Sequence, residues 1–467
     1  MYARFAAGDP AWDGRFFTGV LTTGIYCLPS CKARKPKREN VRFFPSCEAA
    51  RAAGFRACRK CHPDDFARGA DPVLEDVETL VAEVRERPAA FADVRAMVRR
   101  SGFGATRLFE LVRQHFHATP HDLLVRARVD HVKRALLADE RPLAELALDA
   151  GFETLSVLHE NFRRLNGLTP NAYRELCDTR TFRVQLPADY PVDILRRTLG
   201  RDPHSVSERL EGDRFTAVVR IDEKPVLIAL RLNNSHVDVE VSDPGQAIAA
   251  HRVVMHWLGL EQNAAAFARL ARKLGLARLV KAREGLRLSG TATAYDGLLW
   301  SILGQQITVV FACQLRRRLI ERLGEPFGSG LYAPPTAATV AGIEPEELLP
   351  LQISRQKATY LVTASRLVAS GELPLERLRD GSATRAERAL LAVRGLGPWS
   401  VNYVMMRALG FGDCVPLGDT GLTSGLQALF RLEERPDADA TRRLMGVFSP
   451  YRSLATAHLW QLKYSLA

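Results

Sequence analysis

Cys27-x-x-x-Cys31 and Cys58-x-x-Cys61 are two short-spaced cysteine pairs separated by 26 residues. Two thiolates from each of two turns can close a tetrahedron around zinc, and no histidine accompanies them, so the pattern predicts one Zn2+ in an all-cysteine, four-sulfur site. Such a site keeps its thiols ionised at neutral pH, and a thiolate is a nucleophile as well as a ligand. The cluster therefore reads either as a structural zinc knuckle or as a reactive centre, with Cys47 a bystander. A second constellation lies far down the chain, in VRGLGPWSVNYVMMRALG (residues 393–410). Gly395 and Gly397 permit a tight hairpin and a close backbone approach. Pro398 suits the first helical position, so free amides would point at a phosphate. Asp419 follows 22 residues after Gly397, in VPLGDTGL. Read on its own, a carboxylate there caps a helix over residues 421–430.

These groups need scaffolds, and composition says which kinds. The 467 residues include 65 Lys and Arg against 53 Asp and Glu, a net charge of +12. A nucleic acid is the polyanion such a balance predicts as partner, with a protein that handles double-stranded DNA as the working class. Ten of the basic residues fall between Cys27 and Cys61, against only Glu39 and Glu48. Hydrophobic residues make up 46% of the chain, which excludes disorder over most of its length. The start, MYARFAAGDPAWDGR, has no apolar stretch after a basic one, and the apolar run Tyr295–Leu315 is broken by Gly304, Gln305 and Gln306. Two core helices are expected there rather than a membrane span, and no contact with membrane at all, which with the clustered cysteines points to the cytoplasm.

The chain divides by pattern. Residues 1–70 carry the cysteines, the basic excess and short strand-like runs such as Arg15–Leu21. Residues 73–177 read as short amphipathic helices and contain a repeat, RLFELVRQHFHATP (107–120) against VLHENFRRLNGLTP (157–170), at an offset of 50. Each copy reads as a helix-turn-helix, the second with a first helix over Pro142–Ala150, a turn at Gly151-Phe152 and a recognition helix over Thr154–Leu165, joined to the first by a connector over Asp122–Leu137. His159, Asn161 and Arg163 are its candidate groove-facing residues. Residues 180–250 alternate at Phe215–Ile221, Val226–Leu232 and Val237–Val241, as half-buried strands do. Residues 251–467 read as helical throughout. The expected class is multidomain and mainly α, with a small α+β zinc domain, a double helix-turn-helix, an α+β subdomain and an α-helical bundle.

Family resemblances attach to each part. TTGIYCLPSCKARKPKRENVRFF (22–44) with AAGFRACRKCHPDD (52–65) closely resembles the N-terminal domain of the Ada family, which takes methyl groups from DNA methyl phosphotriesters onto a zinc-bound thiolate. The resemblance implies Cys27 as the acceptor, Cys31, Cys58 and Cys61 as its fellow ligands, and Thr23, Arg34 and Arg56 as DNA-facing positions. PLAELALDAGFETLSVLHENFRRLNGLTPNAYRE (142–175) resembles the AraC-type regulators. From about Thr181 the chain resembles the AlkA-type 3-methyladenine DNA glycosylases of the helix-hairpin-helix superfamily, which implies a TBP-like sheet over 180–250. It further implies Asp419 as the essential carboxylate, Trp399, Tyr403 and Trp460 as aromatic walls around a flipped base, and Gln306 at the place of a DNA-wedging leucine. Thr420 departs from the tyrosine that the best-known member of that family has there.

Together these imply an alkylation-damage protein that releases alkylated bases such as 3-methyladenine and 7-methylguanine, leaves an abasic site, accepts a methyl group and regulates transcription through RNA polymerase, in the bacterial nucleoid. Trp399 stands where backbone-cutting glycosylases place a lysine, so strand cleavage is not expected. No cysteine follows Cys414, so no iron–sulfur cluster is expected. No Pro-Cys-His motif occurs either, so O6-methylguanine reversal is not expected. The rival reading is a transcription regulator whose C-terminal part binds damage without cutting it.

Overall fold

The computed structural model describes residues 1–9, 12–31, 33–67 and 71–462, and the chain divides after Leu80 into two units. In the first, β1 (Phe17–Val20), β2 (Ile25–Cys27), β3 (Val41–Phe44) and β4 (Arg56–Ala57) form one sheet in the order β3-β1-β2-β4. β1 runs antiparallel to β2 and β3, while β2 and β4 are parallel, with Tyr26 opposite Ala57. The sheet packs Phe17, Tyr26 and Phe44 into a small core with Cys47 and Ala50. Cys47 is indeed a bystander, buried with its thiol donating to the Pro63 carbonyl. A Cβ on Gly19 would stand 2.7 Å from the Phe44 ring and 2.8 Å from that of Phe55, so only glycine lets those rings close over the strand.

The second unit begins with the two helix-turn-helix copies. α1 (Val94–Ser101) and α2 (Ala105–Phe116) make the first, α3 (Pro120–Ala138) is the connector, and α4 (Leu143–Asp149) and α5 (Leu155–Asn166) make the second. α2 and α5 begin and end 50 residues apart, as the repeat predicts. Their turns use Gly102 at φ 69° and Gly151 at φ 85°; Thr154 caps α5 and Thr119 caps the connector α3 with their side chains, while α2 starts at Gly104 with no side-chain cap.

A five-stranded antiparallel sheet follows, β5 (Thr181–Gln185), β6 (Glu208–Glu211), β7 (Arg214–Ile221), β8 (Lys224–Leu232) and β9 (His236–Val241), ordered β5-β9-β8-β7-β6. Its apolar face packs on α6 (Ala247–Leu258). The three alternating runs form its centre. The edge strands β5 and β6 escaped the pattern, because TFRVQ and ERLE bury few of their residues. The reading of 251–467 as wholly helical also needs correction: β10 (Glu325–Gly328) and β11 (Leu331–Ala333) form a hairpin there, hidden in sequence by Pro326 and three glycines.

The remaining elements that matter are α7 (Ala294–Leu303), α8 (Val309–Leu323), α9 (Ala383–Leu391), α10 (Pro398–Arg407), α11 (Thr420–Phe430) and α12 (Arg452–Leu462). The run Tyr295–Leu315 is thus two helices meeting at Gly304–Gln306, and among the described residues no helix is long and apolar enough to cross a membrane. The regulator-like and sheet-bearing parts are not loosely joined. Gln185 N–H donates to the Gly167 carbonyl at 2.8 Å, His251 Nε2 to the Asn166 carbonyl at 2.8 Å, and Asp413 N–H to His117 Nδ1 at 3.2 Å.

Candidate active site and metal centre

The parallel pairing of β2 with β4 explains how two distant cysteine pairs meet. Tyr26 and Ala57 are in register, and Cys58 N–H donates to the Tyr26 carbonyl at 3.0 Å, so Cys27 and Cys58 leave the sheet side by side. The turns that follow bring in Cys31 and Cys61. All four sulfurs lie within 4.8 Å of one another, close to the roughly 3.8 Å edge of a tetrahedron with zinc–sulfur bonds of about 2.3 Å. Hydrogen bonds among the thiols push Cys27 up and hold Cys31 down to about 2. A divalent cation is what lets all four sulfurs ionise together. The donor set fits one Zn2+.

The four sulfurs are not equivalent. Leu28 N–H donates to Cys61 Sγ and Lys60 N–H to Cys58 Sγ, both at 3.4 Å, and a backbone hydrogen bond from Ala33 reaches Cys31. Among the described residues no backbone N–H serves Cys27. Hydrogen bonds drain charge from a thiolate, and the other three sulfurs each accept one from the backbone. Cys27 is only 5% exposed, however, and Cys61 is the most open of the four. Thr23, Arg34 and Arg56 are exposed, with Arg56 paired to Ile25 two residues before Cys27.

The second site lies where α10, α11 and α12 converge. Gly395 adopts φ 94°, and a Cβ there would sit 2.2 Å from the Tyr360 ring, so glycine is required. Gly397 differs from expectation: its φ of −87° suits any residue, and its part is the open space around it, which leaves room for a phosphate at the α10 N-terminus. Pro398 opens that helix as expected. Trp399 and Tyr403, one turn apart, stack at 5.4 Å between centroids.

Asp419 is the N-cap of α11, its Oδ1 accepting from Leu422 N–H at 2.8 Å. It is also bound by both indoles. Trp460 Nε1–H donates to Oδ1 at 2.9 Å and Trp399 Nε1–H to Oδ2 at 3.2 Å. The capping and the chemical readings therefore hold together: the cap fixes the carboxylate, and the helix N-terminus and three N–H donors favour its charge.

Several supporting residues were not read from sequence. Gly421 lets the Trp460 ring approach, since a Cβ there would stand 2.9 Å from Cδ1. Gln305 Nε2 donates to the Gly395 carbonyl at 2.9 Å and to Ser400 Oγ at 3.0 Å, tying the α7–α8 turn to the hairpin. Gln306 is exposed at that turn with φ 56°, beside Val309 and Val310, which are 50% and 70% exposed. An apolar tip so placed is suited to enter a base stack, and the exposed Val-Val pair was its overlooked signal. Thr420 is exposed and adds little wall.

In α5, Arg163 is exposed and His159 half-buried, but Asn161 is occupied, its side chain donating to the Val157 carbonyl and accepting from Arg164. The exposed first turn, Leu155, Ser156 and Val157, is the part a recognition helix presents to base edges.

Three family models match in order: the metal binding domain of Ada over residues 1–64, a helix-turn-helix domain over 97–176, and the HhH-GPD superfamily of base excision DNA repair proteins over 299–450. A probable bifunctional transcriptional activator/DNA repair enzyme AlkA of Mycobacterium tuberculosis is 26% identical over 98% of this chain and 95% of its own. A DNA-3-methyladenine glycosylase of Bacillus subtilis is 28% identical over 60% of this chain and 96% of its own. The solved 3-methyladenine DNA glycosylase of Archaeoglobus fulgidus shares the fold, with a TM-score of 0.53 at 21% identity, over 61% of this chain and 99% of that one. This chain is therefore built as an Ada-type metal-binding domain, a helix-turn-helix domain and a base-excision repair domain of the helix-hairpin-helix superfamily, in that order.

Proposed function

We propose that this protein answers DNA alkylation in two ways: it hydrolyses the N-glycosidic bond of alkylated bases, and it takes a methyl group from phosphotriesters as a signal for transcription. The observation that carries the first activity is the Asp419 carboxylate, held between the Trp399 and Trp460 indole N–H groups at the mouth of a helix. An N-alkylated purine such as 3-methyladenine or 7-methylguanine is already cationic, so it leaves with the bonding pair of the C1′–N bond and needs no strong acid. The positive charge passes to the sugar, where Asp419 stabilises it. Water then bonds to C1′ and loses a proton. Trp399, Tyr403 and Trp460 supply ring faces for the flipped base, each cation–π contact contributing roughly 0.5–2 kcal/mol. With no lysine after the hairpin, the abasic strand stays intact.

The second activity rests on the nonequivalent thiols. Zn2+, when bound, keeps the four sulfurs ionised. Cys27 Sγ, which no backbone N–H among the described residues reaches, attacks the methyl carbon; the methyl–oxygen bond breaks and an ordinary phosphodiester leaves. A thiolate becomes a neutral thioether, so the cluster loses one negative charge beside Arg34 and Arg56, and repulsion toward DNA phosphates falls. Tighter promoter binding through α2 and α5, with RNA polymerase as the contact of an activator, completes the reading.

The test is direct. Incubated with methylated duplex DNA, the full chain should free methylated purines and leave uncut abasic sites. Mass spectrometry after exposure to methyl-phosphotriester DNA should place one methyl group on Cys27. DNA bound with all bases retained would leave only a damage-binding regulator.

A further inference from the structure

Tyr403, whose ring stacks on Trp399, also lines a cavity of about 110 Å³ between the five-stranded sheet and the helical bundle. That volume is several times the roughly 10–15 Å³ one water needs. Charged groups line it, and most are spoken for. Arg316 pairs with Glu208, and Asp202 with Arg317 outside the lining, both at 3.5 Å; Asp296 accepts from Thr293 at 3.1 Å; Arg201, over the Trp300 ring at 5.3 Å, is exposed to solvent. Arg407 is the exception. It is 7% exposed and lines the cavity, its Nε has no hydrogen-bond partner, and no ion pair reaches it among the described residues. Its neighbour is the Tyr403 ring, 5.8 Å away. A buried guanidinium without an acceptor is costly, so it persists where something it binds comes and goes.

Trp399, Tyr403 and Arg407 are spaced i, i+4 and i+8 and share one face of α10. The aromatic wall of the base site therefore runs on into a donor fork. We propose that Arg407 is a specificity-determining residue, donating into the cavity to the C6 oxygen of an extruded 6-oxopurine such as 7-methylguanine. A 6-aminopurine such as 3-methyladenine presents a donor at that position and gains nothing from the guanidinium. The inference takes its ligand from the base-release reading above but does not depend on Asp419.

Two ratios test it, each measured on the full chain as wild type and Arg407→Met. The first is 7-methylguanine over 3-methyladenine released from the same methylated DNA in single turnover. The second is the relative affinity for the two free bases, read by quenching of tryptophan fluorescence. Both ratios should fall about tenfold toward 3-methyladenine, and the melting temperature should hold or rise, since an unpaired buried cation has been removed. Unchanged ratios, a failure of the wild type to bind free 7-methylguanine, or an equal loss for both bases with a lower melting temperature would each overturn the assignment. A chain that releases no base yet shows the affinity shift would refute hydrolysis and leave the site standing.

Discussion

An aspartate at a helix start is usually a cap, and Asp419 shows how one carboxylate can serve twice. The cap bond from Leu422 occupies part of Oδ1, and the indoles fix the rest of the orientation. Substituting Trp460→Phe keeps a ring but removes one charge-assisted donor, so single-turnover base release should slow about tenfold. The Gly421→Ala chain offers a cleaner probe. Its new Cβ displaces the Trp460 ring while raising helix propensity by up to about 1 kcal/mol, so release should slow with no loss of melting temperature; parallel losses in both would point to misfolding instead. The cysteine set was legible because its spacing carries it, and Asp419, Trp399 and Trp460 because the family resemblance points to them. Gly421, Gln305 and Arg407 were not, because their importance lies in clearance and partner accounting that only three dimensions supply. Asn161 shows the opposite: a polar side chain on an exposed helix reads as free, and here it also bonds within its own helix.

At the level of elements, the hairpin between α9 and α10 depends on one backbone angle. Gly395→Ala must place a Cβ at φ 94° against Tyr360; we expect a stability loss of about 1–3 kcal/mol in urea unfolding and a weaker grip on undamaged duplex. An unchanged midpoint would show that the turn can relax. The repeat at an offset of 50 foretold that α2 and α5 are equivalent, with α5 one residue later than the Thr154–Leu165 reading, and the capping threonines Thr119 and Thr169 recur with it. Edge strands were less legible. β6 is ERLE, half-exposed and charged, and it is a strand only because Phe215 and Thr216 of β7 offer it a partner. The first regulator copy also reaches further than sequence suggested. His117 closes α2 and accepts from Asp413, whose carboxylate binds Arg452 at the start of α12 at 2.7 and 2.9 Å. One end of the helix that carries Trp460 is thereby anchored to the regulator.

For the whole molecule, these joints predict that the regulator-like and repair-like parts melt as one. Calorimetry should show a single transition for residues 81–467, and two separate transitions would contradict it. Chelation should lower the melting of residues 1–80, whose two turns the four-cysteine site closes. Acid should act through buried histidines. Burial holds His251 and His256 down to about 4 and His458 to about 3, against an ordinary 6.5. Between those values the unfolded chain binds protons that the folded chain refuses, so stability is full above about pH 6.5 and falls as pH drops toward 4, by about 1.4 kcal/mol per unit for each histidine. Such residues read from sequence only as scattered histidines; their burial comes from packing between elements far apart in the chain.

Everything in the repair reading turns on whether the carboxylate between the two indoles stabilises the departing sugar. The most direct measurement is single-turnover release of 3-methyladenine from methylated duplex by wild type and Asp419→Asn at matched DNA binding. Asparagine keeps the cap and the size but not the charge, so the rate should fall at least about 100- to 1,000-fold with affinity for abasic DNA retained. Release at the parental rate would contradict the account.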